Sequence, residues 1–346
     1  MEYRKLGHTD LDVSLICLGT MTWGQQNSEE EGHEQMDYAY DQGVNFFDTA
    51  ELYPIPPMPE TQGRTETYIG NWFKKNSNRK KIILATKVAG RSPMKWFRGE
   101  GTKLDRANIE EAVNASLKRL QTDYIDLYQL HWPDRPMSMF GAGGIGYKHI
   151  EAETVAISET LEILDDLVKS GKIRHVGLSN ETPWGLSEFL KHSDISNMPK
   201  IVSVQNAYNL LNRIYEDGLS EFHHRSAVGL LAYSPIAQGY LSGKYIDGAR
   251  PEGSRTALFE RGNRYEVPGA NDAIKSYVAY AKSVDIDPSV LANAFVNSRE
   301  FVTSNIIGAT TMEQLKLAIG SSEVQLTEED FKAIDAIHRQ NPNLCP

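Results

Sequence analysis

The stretch that decides the fold begins with KIILATKVA at residues 81–89 and ends with YIDLYQLH at residues 124–131. Both ends are short runs rich in apolar, β-branched and aromatic residues, which is typical of buried strands. Between them, residues 106–120 repeat apolar residues at the spacing of an amphipathic helix. A strand, a helix and a second strand in this order predict two parallel strands with helices covering the sheet.

The same alternation extends along the chain in both directions. Strand patterns occur at 15–21, 44–50, 81–89, 124–131, 173–180, 201–209, 229–235 and 304–310. Helical patterns follow them near 29–42, 66–76, 106–120, 155–170, 184–192, 214–226, 271–284 and 312–319, with a further one at 327–339. Eight such units predict a (β/α)8 TIM barrel, and we expect residues 1–346 to form a single domain. A doubly wound open sheet is the alternative, although it would usually have fewer strands and a phosphate-binding glycine turn after the first one.

The connections between these elements are not uniform. Near the start of the chain, YRKLG and LDVS flank HTD, which predicts an N-terminal β-hairpin that closes the bottom of the barrel. Long connections follow strands at 51–65, 132–154 and 236–268. Loops longer than about 12–15 residues are usually functional. We expect all three at the C-terminal face of the strands, where barrel enzymes keep their sites.

Composition and charge exclude several classes of protein. The 346 residues are 40% hydrophobic and carry a formal net charge of −10, so polyphosphate backbones and anionic membranes are repelled. We therefore expect no nucleic-acid partner. Apolar runs stay well below the roughly 20 residues of a membrane span, and the first residues lack the apolar stretch of a signal peptide, so we expect a cytoplasmic protein. Cys17 and Cys345 are too few for a disulfide framework or a zinc cluster.

Polar side chains end three successive predicted strands. Asp48 closes the second strand, Tyr53 follows in the loop, Lys87 lies near the end of the third strand and His131 ends the fourth. An ammonium lowers the pKa of a neighbouring phenol, ordinarily about 10, and a carboxylate keeps that ammonium charged. We therefore interpret Tyr53 as a proton donor, Lys87 as the group that lowers its pKa, and Asp48 as the anchor. A neutral His131 would donate an N–H to a substrate carbonyl oxygen. The alternative is a structural ion pair beside a core histidine.

The next strands end in uncharged polar and aromatic residues. Ser179 and Asn180 end the fifth strand, Gln205 and Asn206 lie in the sixth, and Tyr233 ends the seventh. The amides and hydroxyls suit a carboxamide such as that of a nicotinamide, and the tyrosine suits stacking on its ring. Small residues after the seventh strand would let backbone N–H groups approach phosphates.

Two further motifs bear on phosphate binding. GATT at 308–311 precedes a predicted helix, whose N-terminal N–H groups would bind an anion, although capping by a threonine is the simpler interpretation. GAGGIG at 141–146 matches a dinucleotide fingerprint. That fingerprint requires a strand directly before it, and the strand here ends at His131, so we interpret it as a loop.

Together these segments resemble the aldo-keto reductase family over essentially the whole chain. The resemblance rests on FDTAELY, ATK, QLH, GLSN, SVQNAYN, LAYSPIAQG and IIGATT, which follow the family's order and spacing. It implies a barrel without a Rossmann domain, NADP(H) bound in an extended pose, and a catalytic tetrad of Asp48, Tyr53, Lys87 and His131. KRLQTDYIDLYQLHWP at 118–133 looks most like the bacterial Tas-type members, and the chain is also similar to the potassium-channel β subunits.

The same resemblance implies which residues bind NADPH. Ser179, Asn180 and Gln205 would hold the carboxamide, with Tyr233 stacked on the ring. The remaining contacts would come from Ser234, Pro235, Ile236, Gln238 and Gly239 along the ribose and pyrophosphate, Lys244 and Arg255 on phosphates, and Gly308, Thr310 and Gln314 at the adenosine end. Between the two cations, Arg255 suits the 2′-phosphate because its planar fork grips a phosphate with two bonds. Leu317 and Ala318 stand where relatives often carry Glu and Asn, which weakens the expected contacts to adenine.

Aromatic residues near strand ends predict an apolar substrate pocket. They are Trp23, Trp96 and Trp132, with Tyr208 as a further candidate, and packing in the core is the alternative for each.

The leading hypothesis is an NADPH-dependent reductase of aldehydes or ketones, reversible in principle. The alternative is a cofactor-bound binding or regulatory protein like the channel β subunits. A metal-dependent hydrolase is disfavoured because His223 and His224 lie on a predicted outer helix and point to different faces. The only partner expected is a small carbonyl compound, the substrate.

Overall fold

The computed structural model describes residues 1–99, 101–137, 149–259 and 263–345. Its strands are β1 Tyr3–Lys5, β2 Asp12–Ser14, β3 Ile16–Gly19, β4 Phe46–Asp48, β5 Ile83–Val88, β6 Ile125–Leu130, β7 Ile173–Ser179, β8 Ile201–Ala207, β9 Gly229–Tyr233 and β10 Val302–Ile307. Its α-helices are α1 Glu29–Asp41, α2 Arg64–Asn76, α3 Lys95–Arg98, α4 Arg106–Leu120, α5 Ile157–Lys169, α6 Pro183–Ser196, α7 Tyr215–Gly218, α8 Glu221–Ser226, α9 Arg255–Phe259, α10 Ala270–Ser283, α11 Pro288–Asn297, α12 Met312–Gly320 and α13 Glu328–Gln340. Short 3₁₀ turns occupy Arg79–Lys81, Ala237–Ser242, Ile246–Gly248, Asn263–Tyr265 and Ser321–Glu323.

Strands β3 to β10 close into a parallel barrel. Each pairs with the next along the chain, and β10 pairs with β3, for example Ile306 with Cys17, so that the sheet has no free edge. This closure confirms the predicted (β/α)8 barrel and rules out the open sheet. Among the described residues, no helix is long and apolar enough to cross a membrane.

The barrel interior is filled in layers, because side chains two residues apart on a strand point to the same side. The lower layer is apolar and includes Phe46, Ala85, Leu127 and Leu231. Two residues further along the same strands stand Asp48, Lys87, Gln129 and Tyr233. The alternation of the strands thus places polar side chains together at the C-terminal end of the barrel.

The predicted N-terminal hairpin is confirmed. Strands β1 and β2 pair antiparallel, with Tyr3 opposite Ser14. Leu6 and Val13 from the hairpin are fully buried in the same cluster as the lower barrel layer. The hairpin therefore plugs the N-terminal end of the barrel and leaves the other end for the site.

The structure differs from the sequence expectations at several boundaries. Between β9 and β10 the described residues form three helices, α9, α10 and α11, where one was predicted. The last of them, α11, is capped by Asp287, whose side chain accepts from the N–H groups of Ser289 and Val290, with Pro288 at the first helical position. The predicted helix at 214–226 is broken into α7 and α8. The glycine-rich motif at 141–146 lies outside the described residues.

Helix α2 lies so close to α4 that only glycine fits at the contact. A Cβ at Gly70 would lie 2.2 Å from the carbonyl oxygen of Arg119. We expect Gly70→Ala to force the two helices apart and to lower the free energy of unfolding by about 1–3 kcal/mol, measured by urea denaturation. Gly320→Ala is the matched control, because a Cβ there meets no atom within 4 Å, and it should leave stability nearly unchanged. Equal stability of the two variants would show that α2 can move without cost.

Candidate active site

The centre of the site is a buried ion pair between two neighbouring strands. The Lys87 Nζ on β5 donates to Asp48 Oδ2 on β4 at 2.7 Å and to the Thr49 carbonyl at 2.7 Å. The relative exposure of Lys87 is 0% and that of Asp48 is 2%. Each charge is therefore stable in the interior only with its partner.

Two side-chain amides complete the shell of Asp48. The Gln205 Nε2 donates to Asp48 Oδ1 at 2.8 Å, and the Gln129 Nε2 donates to the same oxygen at 3.1 Å. Gln205 thus contacts the anchor of the ion pair, a contact that the sequence analysis, which assigned it to a carboxamide, did not foresee. Gln129 was not among the predicted site residues, although it stands two residues before His131 and its inward direction follows from the strand period.

Tyr53 lies over this pair in the loop after β4. Its ring centroid is 4.9 Å from the Lys87 Nζ, and the residue is 8% exposed. Burial raises the pKa of the Tyr53 hydroxyl above its ordinary value of 10.0, and the Lys87 charge opposes this increase without overcoming it. The expected lowering by Lys87 is present, but the prediction of a lowered pKa is wrong in this structure because burial dominates. At neutral pH the hydroxyl holds its proton.

Burial also acts on the pKa of Lys87, which it lowers. The charge of Asp48 and the phenol of Tyr53 outweigh that effect, so that the pKa of Lys87 lies above its ordinary value of 10.5. The lysine is therefore a permanent cation at the C-terminal end of the barrel, which we call the mouth. Its charge is the second effect, after burial, on the pKa of Tyr53 and of His131.

His131 is held next to Tyr53 in its neutral form. Its backbone N–H donates to the Val88 carbonyl at 2.8 Å, and the two rings are 5.8 Å apart at 78°. Burial, followed by the charge of Lys87, holds the pKa of His131 well below 6.5. Its Nδ1 is buried without a hydrogen-bond partner in the described structure. A neutral imidazole with one unused nitrogen can orient a polar group brought into the site.

The polar residues after β7 and at the end of β9 connect to the histidine. The Asn180 Nδ2 donates to the His131 carbonyl at 2.9 Å, and the Tyr233 hydroxyl donates to Asn180 Oδ1 at 2.7 Å. The Ser179 hydroxyl donates to the Gln205 carbonyl at 2.8 Å. The predicted residues Ser179, Asn180, Gln205 and Tyr233 are therefore brought together near His131 at the mouth. Asn206 is directed elsewhere, since its amide pairs with the backbone of Glu181.

The segment after β9 has an irregular backbone. Ser234, Ala237 and Gln238 have positive φ angles of 57°, 49° and 57° although none is glycine, and they are followed by Gly239 at 98°. Such conformations cost free energy and cluster at functional sites. Lys244 folds back over this turn, with its Nζ 3.1 Å from the position that a Cβ on Gly239 would occupy. The predicted phosphate-binding residues of this segment are thus close together.

A cleft adjoins the irregular segment after β9. It is lined by Pro235, Ile236, Ser289, Asn293, Ile307, Gly308, Gln314, Leu317 and Ala318. Four of these were predicted to bind cofactor, and the space at Gly308 is open, with no atom within 4 Å of a Cβ placed there. Ser289 and Asn293 were not predicted because the helix that carries them, α11, was not predicted. The Asp287-Pro288 pair, a capping residue followed by a favoured first residue, is the signal that would have found them.

The GATT motif begins helix α12 in the way that the simpler interpretation expects. Thr311 caps the helix by accepting from the N–H of Gln314 at 3.3 Å. The Gln314 Oε1 in turn accepts from the N–H of Thr310 at 3.1 Å. One N–H of the predicted anion site is therefore bonded to the protein's own side chain.

The predicted pocket aromatics fall into two groups. Trp132 lies beside the site, 4.9 Å from the His131 ring, and Trp96 is 38% exposed on α3. Trp23 is fully buried and donates its indole N–H to Gln35 of α1, so the structure places it in the core instead of the pocket. Tyr208 is likewise buried, with its hydroxyl bonded to Glu216. Both cases follow the alternative of core packing.

Two arginines lie near the mouth. The charge of Arg255, at the start of α9, lowers the pKa of Tyr53, so it lies within electrostatic reach of that hydroxyl. Arg264 acts in the same way on Tyr233, whose pKa burial raises to about 12. Arg264 was not predicted, since nothing in its sequence context marks it.

The described part of the chain contains no group of three or more His, Cys, Asp or Glu side chains arranged to hold a metal ion. His223 and His224 are neighbours on α8, with their rings 4.9 Å apart and nearly perpendicular. Cys17 and Cys345 are buried free thiols.

The low pKa of His131 has a consequence for stability. Below pH 6.5 the unfolded chain protonates this histidine and the folded protein does not, so its contribution is complete above pH 6.5 and is lost as the pH falls. We expect the free energy of unfolding of His131→Asn to fall less steeply than that of the parent protein from about pH 7 to pH 5, by up to about 1.4 kcal/mol per pH unit. Urea denaturation across this range measures it, with His192→Asn on α6 as the control. Parallel slopes for His131→Asn and the parent protein would contradict a neutral buried His131.

Comparison with known proteins identifies the family of this chain. The Aldo/keto reductase family model matches residues 15–339. The chain is 48% identical to Protein tas of Escherichia coli (strain K12), over 98% of each chain. It is 38% identical to an Aldo-keto reductase of Babesia bovis, over 75% of this chain and 96% of that one, and 33% identical to Uncharacterized oxidoreductase YrpG of Bacillus subtilis (strain 168), over 97% and 96%. A barrel whose strand ends bring Asp48, Tyr53, Lys87 and His131 together, and which matches this model over nearly its full length, belongs to the aldo/keto reductase family of oxidoreductases.

Proposed function

We propose that this protein reduces aldehydes or ketones with NADPH and runs the reverse reaction when product and oxidised cofactor accumulate. The observation that supports it most strongly is the buried Lys87–Asp48 pair beneath a protonated Tyr53 and beside a neutral His131. This set offers a proton and a hydrogen-bond donor at one point. A carbonyl oxygen that becomes an alkoxide requires both.

The residues present fit a nicotinamide cofactor. The open space at Gly308 and the cleft that Gln314 and Pro235 line can accept the adenosine end of an extended ligand. At the opposite end of the site, beside Tyr53, the buried Nδ1 of His131 has no hydrogen-bond partner in the described structure. Ser179, Asn180 and Gln205 would hold the carboxamide, with Tyr233 against the ring. When bound, the reduced nicotinamide supplies the hydride that adds to the carbonyl carbon.

The side chains of the tetrad divide the remaining tasks. Tyr53 donates its proton to the carbonyl oxygen, and the nearby ammonium of Lys87 stabilises the phenolate that remains. Asp48 holds that ammonium charged and in place. His131, neutral in this site, donates a hydrogen bond that orients the carbonyl. Trp132 next to it, together with Leu52, provides an apolar wall that excludes water.

Electrostatics support the phosphorylated form of the cofactor. The protein carries a net charge of −10, yet Lys244 and Arg255 lie around the cofactor-side turn and the mouth. Lys244 lies against Gly239, in the turn proposed to line the ribose and pyrophosphate, so we propose this lysine for the pyrophosphate. Arg255 remains the candidate for the 2′-phosphate, because its planar fork can hold a phosphate with two parallel bonds.

The role of Tyr53 can be tested directly. We expect Tyr53→Phe to lower the single-turnover rate of aldehyde reduction about 10²- to 10⁴-fold, because the ring remains but the proton source is lost. NADPH binding should be nearly unchanged in a fluorescence titration. Tyr277→Phe is the control, since that buried hydroxyl donates to the Leu210 carbonyl and lies outside the tetrad. Reduction by Tyr53→Phe at the parental rate would refute the tetrad assignment.

The assignment of the two cations predicts distinct cofactor effects. We expect Arg255→Ala to weaken binding of NADPH roughly tenfold and binding of NADH much less, because a charge-assisted bond to the 2′-phosphate contributes on the order of 1.5–3 kcal/mol. Lys244→Ala should weaken binding of NADPH and NADH equally, since both cofactors carry the pyrophosphate. Lys282→Ala on the exposed side of α10 is the control. Equal losses for NADPH and NADH in Arg255→Ala would place this arginine on the shared pyrophosphate.

A further inference from the structure

Between Asp48 and Tyr53 stands a second buried carboxylate that the proposed chemistry does not use. The side chain of Glu51 is 4% exposed and that of Arg98 5%, and the Arg98 Nη2 lies 2.5 Å from both carboxylate oxygens. Glu51 Oε1 also accepts from the Ala89 N–H at 2.8 Å, just past the end of β5. The pair therefore joins the loop after β4 to a residue on α3.

Arg98 is the last residue of α3, in a segment that rises beside the mouth. We call residues 91–99 the arm. Its base is fixed by the Ser92–Thr102 backbone pair, at 3.1 and 3.0 Å, and by Arg91, which binds Asp134. Beyond this base, the α3 end of the arm is fixed to the barrel by Arg98.

The arm contributes apolar surface next to His131. Met94 and Phe97 pack on a small cluster formed by Leu52, Ala89 and Trp132. Trp132 is the residue whose ring lies 4.9 Å from that of His131. The guanidinium of Arg98 also covers the Phe97 ring, at 4.6 Å from its centroid. Apolar contacts tolerate several orientations, whereas the charge-assisted contact of Arg98 Nη2 with both oxygens of a buried carboxylate restricts the position of that nitrogen.

We propose that Arg98 and Glu51 are positioning residues that hold the arm against the mouth and thereby set the apparent affinity for aldehydes large enough to reach it. This inference rests on the proposed carbonyl reduction for its substrate, while the Arg98–Glu51 ion pair itself is a property of the fold. Neither side chain takes part in proton transfer. Loss of the ion pair should therefore raise KM for a bulky aldehyde and leave the rate of the chemical step nearly unaltered.

The experiment compares Arg98→Met, Glu51→Gln and Arg98→Lys with the parent protein. With NADPH and 4-nitrobenzaldehyde, we expect Arg98→Met to raise KM roughly tenfold with kcat within about twofold, and to leave KM for propanal nearly unchanged. Arg98→Lys, which keeps the charge, should recover part of the loss. Glu51→Gln keeps an acceptor for the Ala89 N–H, and we expect it to raise KM for 4-nitrobenzaldehyde by a smaller factor than Arg98→Met does. It replaces Arg98→Met in the test if that variant does not fold.

Hydrogen exchange read by mass spectrometry provides a readout that does not require turnover. We expect amides of residues 89–99 to exchange at least several times faster in Arg98→Met, with the strands unaffected. The matched control is Arg79→Met, which removes a cation bound at 2.8 Å to the buried Asp126, near the N-terminal end of β6. It should lower the melting temperature but change neither KM nor exchange of the arm.

Two results would overturn the inference. One is that Arg98→Met and Glu51→Gln have a lower melting temperature than the parent protein, while KM and the amide hydrogen exchange of the arm stay at the parental values. The other is an equal rise of KM for propanal and 4-nitrobenzaldehyde, which would indicate a general disturbance of the site. If the parent protein does not reduce either aldehyde, the proposed function fails, and the exchange measurement alone then decides whether Arg98 and Glu51 hold the arm.

Discussion

The ammonium of Lys87 is fully enclosed by the barrel and keeps its charge there because Asp48 Oδ2 lies 2.7 Å away. The two residues come from adjacent strands, so the pair can form only when β4 and β5 have their parallel register, with Asp48 opposite Ala85. A buried ion pair of this kind contributes little net stability, since desolvation offsets the attraction, but loss of one partner leaves an uncompensated charge that costs about 3–5 kcal/mol. The pair therefore constrains the register more strongly than it stabilises the fold.

Burial and this one fixed charge together determine how its neighbours titrate. Burial favours the neutral form of each group, so the phenol of Tyr53 retains its proton and the imidazole of His131 does not gain one, and Lys87 reinforces the second effect. The mouth thus holds a cation, a protonated phenol and a neutral imidazole side by side at neutral pH. A proton donor and a neutral hydrogen-bond donor coexist because burial and one ammonium act on two different kinds of group.

The features that follow from periodicity and from turn signals could be predicted from the sequence. The barrel and the convergence of Asp48, Lys87 and His131 follow because parallel strands end on one face and side chains two apart point the same way. The hairpin follows from a turn between two short strand patterns. Balances between opposing effects on a pKa could not be predicted. Whether burial or Lys87 controls the pKa of Tyr53 depends on how completely the loop covers the ring, which no residue pattern records. The assignment of Trp23 to the substrate pocket fails for a related reason, since a large apolar side chain near a strand end suits a pocket and a core equally well.

The features that were missed lie where the chain leaves regular structure. Helix α11 has a cap and a proline at its start but little polar periodicity, because most of its surface is buried between β10 and its neighbours, and an all-round apolar helix resembles a strand in sequence. The ion pair between Glu51 and Arg98 joins residues 47 positions apart, one in the loop after β4 and the other at the end of the short helix α3 within the connection after β5. Strand and helix periods fix directions only within an element, so a contact between two loops becomes visible only when the strands beneath them are in register. The ion pair of Lys87 and Asp48 secures that register, and the loops above it are built on this alignment.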